Sequence, residues 1–311
     1  MPDKKNTCDN TWLPMRSEDV EGGVLSQITS MIDLFPDLPA HVHEILRIVS
    51  DYESDSKEVE RLASSDPVMA SKILNAVNSA YYGLSKKTDN IRLAIVLLGY
   101  AEIRNIALRC GISGVMGNGG DYKGYSTRAL WKHSYLVSVC AETFESDKDS
   151  NRAGILLTLG LLHDIGKFAL CNAAIIMRKK RVRLKGIKSM SDCSYVLEKE
   201  QELFGTNHSI IGAMIAKKWG LSKKICSILE FHHYPSFYDI DSIPKEYAKD
   251  IAVISISDQI VNVLEGEKNL LPEPPAEYFE ILGLTPPLSN LLTDEIKDTI
   301  DKAKNFLTYI S

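Results

Sequence analysis

The segment from Ala153 to Leu170 reads AGILLTLGLLHDIGKFAL, and fourteen of its eighteen residues are apolar or glycine. An apolar run of this length predicts a helix that is buried on most of its surface. His163 and Asp164 interrupt the run near its end, and Lys167 follows. Burying a histidine and an aspartate is costly unless something satisfies both side chains. A divalent metal ion or a direct hydrogen bond between the two would do so, and the pair alone leaves both explanations open.

The positions of the other histidines in the sequence favour a metal site. Only seven histidines occur in the chain, and five of them, together with one more aspartate, recur at intervals of about one helix and its connection. Ligands spaced in this way would come from four or five helices that converge on one cleft, as in helical proteins with two metal ions. The candidate ligands are His133, His163, Asp164, His208, His232, His233 and Asp258. His41 and His43 stand apart from this series and are predicted to be surface or helix-capping residues.

The remaining sequence predicts an all-α fold. Asp66-Pro67 is typical of a helix start, and that helix should run through Val77. Thr127 to Phe144 is predicted to be the helix that carries His133. Six glycines between Gly111 and Gly124 lack the preceding strand and the spacing of a dinucleotide-binding loop, so this segment is predicted to be a flexible connection. No segment has the alternation of a strand.

These motifs resemble a known superfamily. LLHDIGK, with a histidine before it, a histidine and a histidine pair after it, and a late aspartate in ISISD, is similar to the HD superfamily of metal-dependent phosphohydrolases. The upstream sequence from LPAHVHEILRIVS to GYAEIRNIAL resembles the HDOD domain, an HD-related helical domain of bacterial signalling proteins. The resemblance covers roughly residues 25 to 265.

The resemblance implies an HD-domain-like multi-helix bundle with an N-terminal helical HDOD subdomain. We expect four parts along the chain. These are a flexible lead-in (1–24), the N-terminal helical part of the HDOD domain (25–115), the HD-type metal-binding helical part (125–265), and a proline-rich segment with a closing helix (266–311). The closing helix should pack back on the domain or on a partner.

The resemblance also implies the arrangement of the ligands. Asp164 would bridge two divalent ions. Such a ligand set is compatible with Fe, Mn, Zn or Ni. One ion would take His133, His163 and Asp258, and the other His208 with His232, His233 or both. Asp164 and Lys167 are the predicted catalytic residues. Lys167 would steady a phosphoryl oxygen, or else it is an exposed cation at a helix end.

Two departures from the superfamily limit the prediction. No Gly-Tyr-Pro motif of the HD-GYP cyclic-dinucleotide phosphodiesterases occurs in the chain. Ala129 stands four residues before His133, where some members with three metals have a glutamate. Neither a third metal nor specificity for cyclic-di-GMP is therefore predicted. Many HDOD proteins have lost part of the metal-binding set, whereas this sequence keeps all of it.

Two classes of function follow from these observations. The first is a metal-dependent phosphohydrolase or phosphodiesterase that acts on a nucleotide or cyclic-dinucleotide ligand. The second is a non-catalytic signalling scaffold that binds a protein or nucleotide partner through the HDOD domain. The complete ligand set favours the first, and the absence of a substrate motif favours the second.

The composition of the chain limits the classes of ligand and the cellular location that we expect. The net charge of −5 argues against general binding to nucleic acid or to anionic membranes. Residues 178–188 carry seven basic residues in eleven, and they form either a solvated helix face or a region that attracts a phosphate-bearing ligand or partner. No signal peptide or uninterrupted membrane-length apolar run is present, so we expect a soluble, cytoplasmic protein. The six cysteines are scattered without a C-x-x-C spacing and are predicted to be free thiols.

Overall fold

The structure, a computed structural model, describes residues 67–79, 87–99, 127–145, 150–171, 196–267 and 271–310, with scattered positions between 16 and 106. The glycine-rich segment, the basic run and His41 lie outside the described residues. Helices make up most of the described chain, and no strand occurs within it, which confirms the predicted all-α class. The labelled helices are α1 (Pro67–Val77), α2 (Thr127–Thr143), α3 (Ser150–Leu162), α4 (Val196–Phe204), α5 (His208–Lys218), α6 (Lys223–Phe231), α7 (Ala248–Glu265), α8 (Ala276–Glu280) and α9 (Asp294–Ile310).

The apolar segment around His163 differs from the single helix that the sequence predicts. Helix α3 ends at Leu162, His163 and Asp164 form a turn, and residues 165–171 are again helical. Local hydrogen bonds account for the break. The His163 ring donates from Nδ1 to the Gly160 carbonyl at 2.7 Å, and the Lys167 amide donates to the Asp164 carbonyl at 2.9 Å. The apolar pattern continues through the turn, because both sides of it face the core.

Two glycines let neighbouring helices approach this segment closely. A Cβ atom at Gly160 would lie 2.5 Å from the Cα of Ser138 in α2. A Cβ atom at Gly166 would overlap the carbonyl oxygen of His208, at the start of α5, and would lie 2.8 Å from the Gly212 amide nitrogen. Any larger residue would push these helices apart. The two contacts therefore set the positions of the helices that carry His133 and His208.

Helix α7 passes through the core of the domain. Most of its residues are buried, and a Ser222-capped α6 and helices α2 and α3 pack against it. Gly266 ends α7 in the left-handed conformation, with φ of 76°, which glycine adopts without strain. The sequence predicts this helix from Pro244, but Pro244 precedes a separate 3₁₀ turn, and the α-helix begins at Ala248.

The described residues nearest to the two ends of the chain pack on the same core. Helix α9 lies against α2 and α1, and Phe306 stacks on Tyr135 with 6.2 Å between the ring centroids. The closing helix thus packs on the domain itself. Near the N-terminus, Val20 packs against the core, and the Arg16 guanidinium lies 5.1 Å above the Tyr238 ring.

One segment, Arg152–Cys171, is long and apolar enough to cross a membrane by composition alone. In this structure, however, 89% of its apolar window is buried inside the protein. It has the surroundings of a core segment in a folded domain.

Candidate metal centre

Five separate parts of the fold bring the predicted ligands together. Helix α2 carries His133, and the turn after α3 supplies His163 and Asp164. The remaining ligands are the first residue of α5, His208; the pair that follows α6, His232 and His233; and Asp258 in the middle of α7. All except His133 are buried, and four of them, His163, Asp164, His208 and His232, are 0% exposed.

The seven side chains form two groups. The inner group consists of Asp164, His208, His232 and His233, and the outer group consists of His133, His163 and Asp258. Within each group, one ligand atom from every member lies within 4.8 Å of the ligand atoms of the others. The second group is called outer because one of its members, His133, reaches solvent, with 13% of its side chain exposed.

Asp164 lies between the two groups. Its Oδ1 atom is 3.2 Å from His208 Nε2, and its Oδ2 atom is 3.3 Å from His163 Nε2. One carboxylate therefore presents a different oxygen to each group. This is the arrangement that a bridging ligand requires.

The spacing of the donors fits a metal ion. Ligand atoms about 2.0–2.1 Å from one ion are separated by about 2.9–3.4 Å at octahedral or tetrahedral angles. Besides the two Asp164 distances, His208 Nε2 lies 2.9 Å from His233 Nε2, and His133 Nε2 lies 2.9 Å from Asp258 Oδ1. All four distances fall in or near that interval.

Three buried polar atoms point to the same conclusion. His163 Nε2, Asp164 Oδ1 and His232 Nε2 have no hydrogen-bond partner within the described part of the chain. Buried polar atoms are rarely left without a partner, because desolvation is then uncompensated. One ion bound in each group would satisfy all three, since His163 belongs to the outer group and Asp164 and His232 to the inner group.

In two of the histidine ligands, a hydrogen bond to a backbone carbonyl fixes Nδ1, the ring nitrogen that faces away from the centre. His163 Nδ1 donates to the Gly160 carbonyl, and His232 Nδ1 donates to the Leu229 carbonyl at 2.8 Å. Because Nδ1 carries the proton, Nε2 of each ring has its lone pair free for an ion. Both rings thus have the tautomer that a metal ligand needs.

Two carboxylates that the sequence pattern does not indicate contact Nδ1 of two other ligands. Glu200 Oε2 lies 2.6 Å from His208 Nδ1, and Glu265 Oε2 lies 3.3 Å from His133 Nδ1. Glu265 stands seven residues after Asp258, on the same face of α7, so helical spacing could have indicated it. Glu200 belongs to a charged helix, VLEKEQELF, in which no local signal distinguishes it.

Burial keeps two of the inner histidines neutral. It lowers the pKa of His232 to about 3, and the neighbouring His163 and His208 rings act in the same direction. Burial likewise holds the pKa of His233 well below its ordinary value. A neutral imidazole is the form that binds a metal.

In the outer group, hydrogen bonds shift the pKa values of His133 and Asp258 in opposite directions. Burial would lower the pKa of His133, but its hydrogen bonds to Asp258 and Glu265 raise that pKa to about 9. Burial would raise the pKa of Asp258, and the hydrogen bond from His133 lowers it to about 2. Asn262 Nδ2 donates to the same Asp258 oxygen at 2.9 Å.

Lys167 contacts the bridging position directly. Its Nζ atom donates to Asp164 Oδ2 at 2.6 Å, and its side chain is 14% exposed. Burial alone would raise the pKa of Asp164, but its interactions with His163 and Lys167 hold that pKa well below its usual range. Lys167 is therefore not an exposed cation at a helix end, because it is mostly buried and paired within the site.

The fold and this centre define an all-helical domain built around a buried histidine–aspartate cluster. The model of the HDOD domain family matches residues 35–235. Since the match covers more than half of the chain, the protein belongs to the HDOD domain family.

Individual relatives are distant. An uncharacterized protein of Treponema pallidum (strain Nichols) is 24% identical over 259 residues, which make up 82% of this chain and 48% of that protein. The chain thus spans about half the length of the curated relative that it matches.

Solved structures share the fold. An HDOD domain protein of unknown function from Geobacter sulfurreducens has a TM-score of 0.68 at 20% identity, over 93% of this chain and 97% of that one. A protein of Marinobacter aquaeolei VT8, provisionally described as a signal transduction protein, has a TM-score of 0.71 at 16% identity, over 95% and 68%. A protein of Shewanella amazonensis SB2B, provisionally described as a metal-dependent phosphohydrolase, has a TM-score of 0.58 at 16% identity, over 91% and 97%. Identities this low show the fold alone.

Proposed function

We propose that this protein is a metal-dependent phosphohydrolase, of the phosphodiesterase kind, that acts on a nucleotide-type substrate. The observation that carries the proposal is the position of Asp164, which directs one carboxylate oxygen to each of two histidine groups. A structural hydrogen-bonded pair needs only one partner for each side chain. It does not account for five imidazoles around one carboxylate.

The seven side chains of the inner and outer groups would hold two divalent ions. Ions bound there would supply Lewis acidity and lower the pKa of a bound water, which is the chemistry of phosphoester hydrolysis at such centres. The donor set of imidazole and carboxylate is compatible with Fe, Mn, Zn or Ni.

The protein side chains have separate tasks in this proposal. His163 and His232 present oriented, unprotonated nitrogens, and the buried surroundings exclude bulk water from them. Lys167 places an ammonium group beside Asp164, where it can interact with the phosphoryl oxygens of a bound substrate. Its partial exposure, like that of His133, puts both on the side of the centre from which a substrate can enter.

Two lysines on that side of the centre would face the phosphate of a substrate. Lys132 is 47% exposed and is paired with Glu265, which in turn contacts His133. Lys132 and Lys167 are each paired with a carboxylate, and their ammonium groups stand beside the entrance although the net charge of the chain is −5. Such local charge favours an anionic substrate over a neutral one. The resemblance to HD phosphohydrolases supports a nucleotide as the carrier of the phosphate.

A test uses the full chain, stripped with a chelator and reloaded in turn with Mn, Fe(II), Ni or Zn. We expect about two ions per chain by elemental analysis. We also expect the loaded protein to hydrolyse at least one compound among bis(p-nitrophenyl) phosphate, cyclic dinucleotides and mononucleotides. The stripped protein is the control. Ions bound without hydrolysis of any phosphoester would contradict the proposal.

The second candidate is a signalling scaffold that binds a protein or nucleotide partner and does not hydrolyse it. It is supported by the description of the Marinobacter protein and by three exposed apolar side chains on the helix at residues 91–99, Leu93, Val96 and Leu97. Val96 is 70% exposed, which is unusual for its residue type. The same reloading experiment separates the candidates, because a scaffold would keep its fold and show no turnover with any metal.

A further inference from the structure

The contact between Glu200 and His208 joins two helices at the edge of the inner group. Glu200 Oε2 accepts a hydrogen bond from the His208 backbone amide at 2.8 Å and contacts His208 Nδ1 at 2.6 Å. Both contacts involve the same carboxylate oxygen. Since the His208 amide is one of the free amides at the start of α5, Glu200 also satisfies a donor that the helix leaves unpaired.

This contact fixes the chemical form of the ring. The Glu200 oxygen already accepts a hydrogen bond from the His208 amide, and an accepting carboxylate oxygen accepts the second bond as well, so Nδ1 of His208 is the donor. The Nε2 atom then faces the inner group, 3.2 Å from Asp164 Oδ1 and 2.9 Å from His233 Nε2. A ring in the other tautomer, or flipped, would place a proton where the group needs a lone pair.

Burial makes the contact rigid. The side chains of Glu200 and His208 are each 1% exposed, so no water competes for the bond. The corresponding contact of the outer group, between Glu265 and His133, is longer and more exposed to solvent. Glu265 is 17% exposed, lies 3.3 Å from His133 Nδ1, and is shared with Lys132, whose Nζ is 2.7 Å away.

We propose that Glu200 is a positioning residue, which fixes the tautomer and orientation of His208 and thereby sets the affinity of the inner group for a divalent ion. The inference rests on the metal centre of the proposed function and assigns a role to a residue outside the ligand set. Carboxylates in this position typically change metal affinity by about 10- to 100-fold when they are replaced. A purely structural Glu200 would instead only cap α5 and join it to α4.

The test compares Glu200→Met with Glu200→Gln. Methionine has a similar volume and cannot accept either hydrogen bond, whereas the glutamine amide oxygen can accept both. With Co²⁺ titrated against a competing chelator, we expect Glu200→Met to weaken one of two ions by about 10- to 100-fold and to change its visible absorption. We expect Glu200→Gln to stay within about 10-fold of the wild type, so that the conservative variant restores affinity.

Glu265→Met is the matched control, because it removes the other carboxylate that contacts a ligand histidine. It should leave the ion that Glu200→Met affects unchanged. Unchanged Co²⁺ affinity in a folded Glu200→Met protein would overturn the proposal. So would equal losses in the two Met variants at the same ion.

A measurement on the wild type covers the case in which Glu200→Met does not fold. Nitrogen NMR of the metal-free protein should show His208 protonated at Nδ1, and Glu200→Gln should keep that form. Protonation at Nε2 alone would overturn the proposal. Hydrolysis is assayed separately, so that an inactive protein with a Glu200-dependent ion contradicts only the function. An active protein whose ions do not depend on Glu200 contradicts only the positioning role.

Discussion

The inner and outer groups contain similar residues but are built differently. The inner group has three imidazoles and one carboxylate, all buried, and a buried glutamate holds one of its rings. The outer group has two imidazoles and one carboxylate, and its His133, which is 13% exposed, contacts Glu265, which is 17% exposed. One carboxylate, Asp164, connects the two groups. The difference indicates that enclosure, and not only the kind of ligand, distinguishes the two halves of the centre.

The comparison has a consequence for the behaviour of the ions. A more enclosed and better oriented donor set loses less entropy on binding, so we expect the inner group to bind more tightly. The outer group lies on the same side of Asp164 as Lys167, and a substrate would approach the centre from that side. Variants that act on one group, on both or on neither can test this division.

Asp164→Asn should have the largest effect, because it removes the negative charge from the bridging position. Since residues that only orient ligands change affinity by about 10- to 100-fold, loss of a bridging ligand should weaken both ions by more than about 100-fold. Hydrolysis should be lost. Elemental analysis and the phosphoester assay measure these effects.

Asp250→Asn is the control for Asp164→Asn. Asp250 is also a buried aspartate, 4% exposed, but it pairs with Arg152 and Lys224. It stands eight residues before Asp258, about 12 Å away along α7. The control should keep both ions. If Asp164→Asn keeps its ions and loses only about 1–3 kcal/mol of stability, the pair is a structural hydrogen bond and the metal centre is wrong.

Asp258→Asn should have the next largest effect and should divide the groups. Asp258 contacts His133 closely, at 2.9 Å, whereas its nearest approach to the inner histidine His233 is 3.8 Å. We expect the outer ion to weaken by about 100-fold and the inner ion to change by less than about 10-fold. Equal loss of both ions in a Co²⁺ titration would show that the two groups act as one site.

Lys167→Met should affect turnover more than metal binding. Lys167 is not in either group, but its charge lies beside the bridging carboxylate. Loss of one group that stabilises the transition state typically lowers kcat by about 100- to 1,000-fold, and we expect the lower end. Steady-state kinetics with the metal content measured in parallel will check this. A variant with normal kcat would assign Lys167 a structural role only.

Lys132→Met should have the smallest effect. It removes the exposed partner of Glu265 and leaves the contact between Glu265 and His133 in place. Exposed ion pairs contribute about 0–1 kcal/mol, which is at most about a fivefold change in affinity for the outer ion. A larger change in the same titration would mean that Lys132 is needed to orient Glu265.

The sequence predicts the helical class, because the apolar runs are too long for strands and no segment alternates as a strand does. The seven histidine and aspartate positions could also be found, since chemically unusual residues stand out in apolar segments. The break between Leu162 and Ile165 could not be found, because the same apolar pattern continues on both sides of it.

Long-range contacts account for the rest of what the sequence does not reveal. Gly160 and Gly166 matter because a backbone segment from another helix lies against each of them. The role of Glu200 depends on the way α4 meets α5. In the sequence it is one of several charged residues in a short helix. Only the packed structure shows which of those residues is buried beside a histidine.

The unpaired nitrogen of His232 has a consequence for the evolution of this domain. A buried polar atom without a partner costs about 1–3 kcal/mol, and His163 Nε2 and Asp164 Oδ1 are in the same condition. A lineage that no longer uses the centre would therefore gain stability by exchanging these residues for apolar ones. Retention of the whole set opposes that drift. In the metal-free protein, stability and the capacity to bind metal would be in conflict at this point of the fold, and the large apolar core around α7 makes that conflict tolerable.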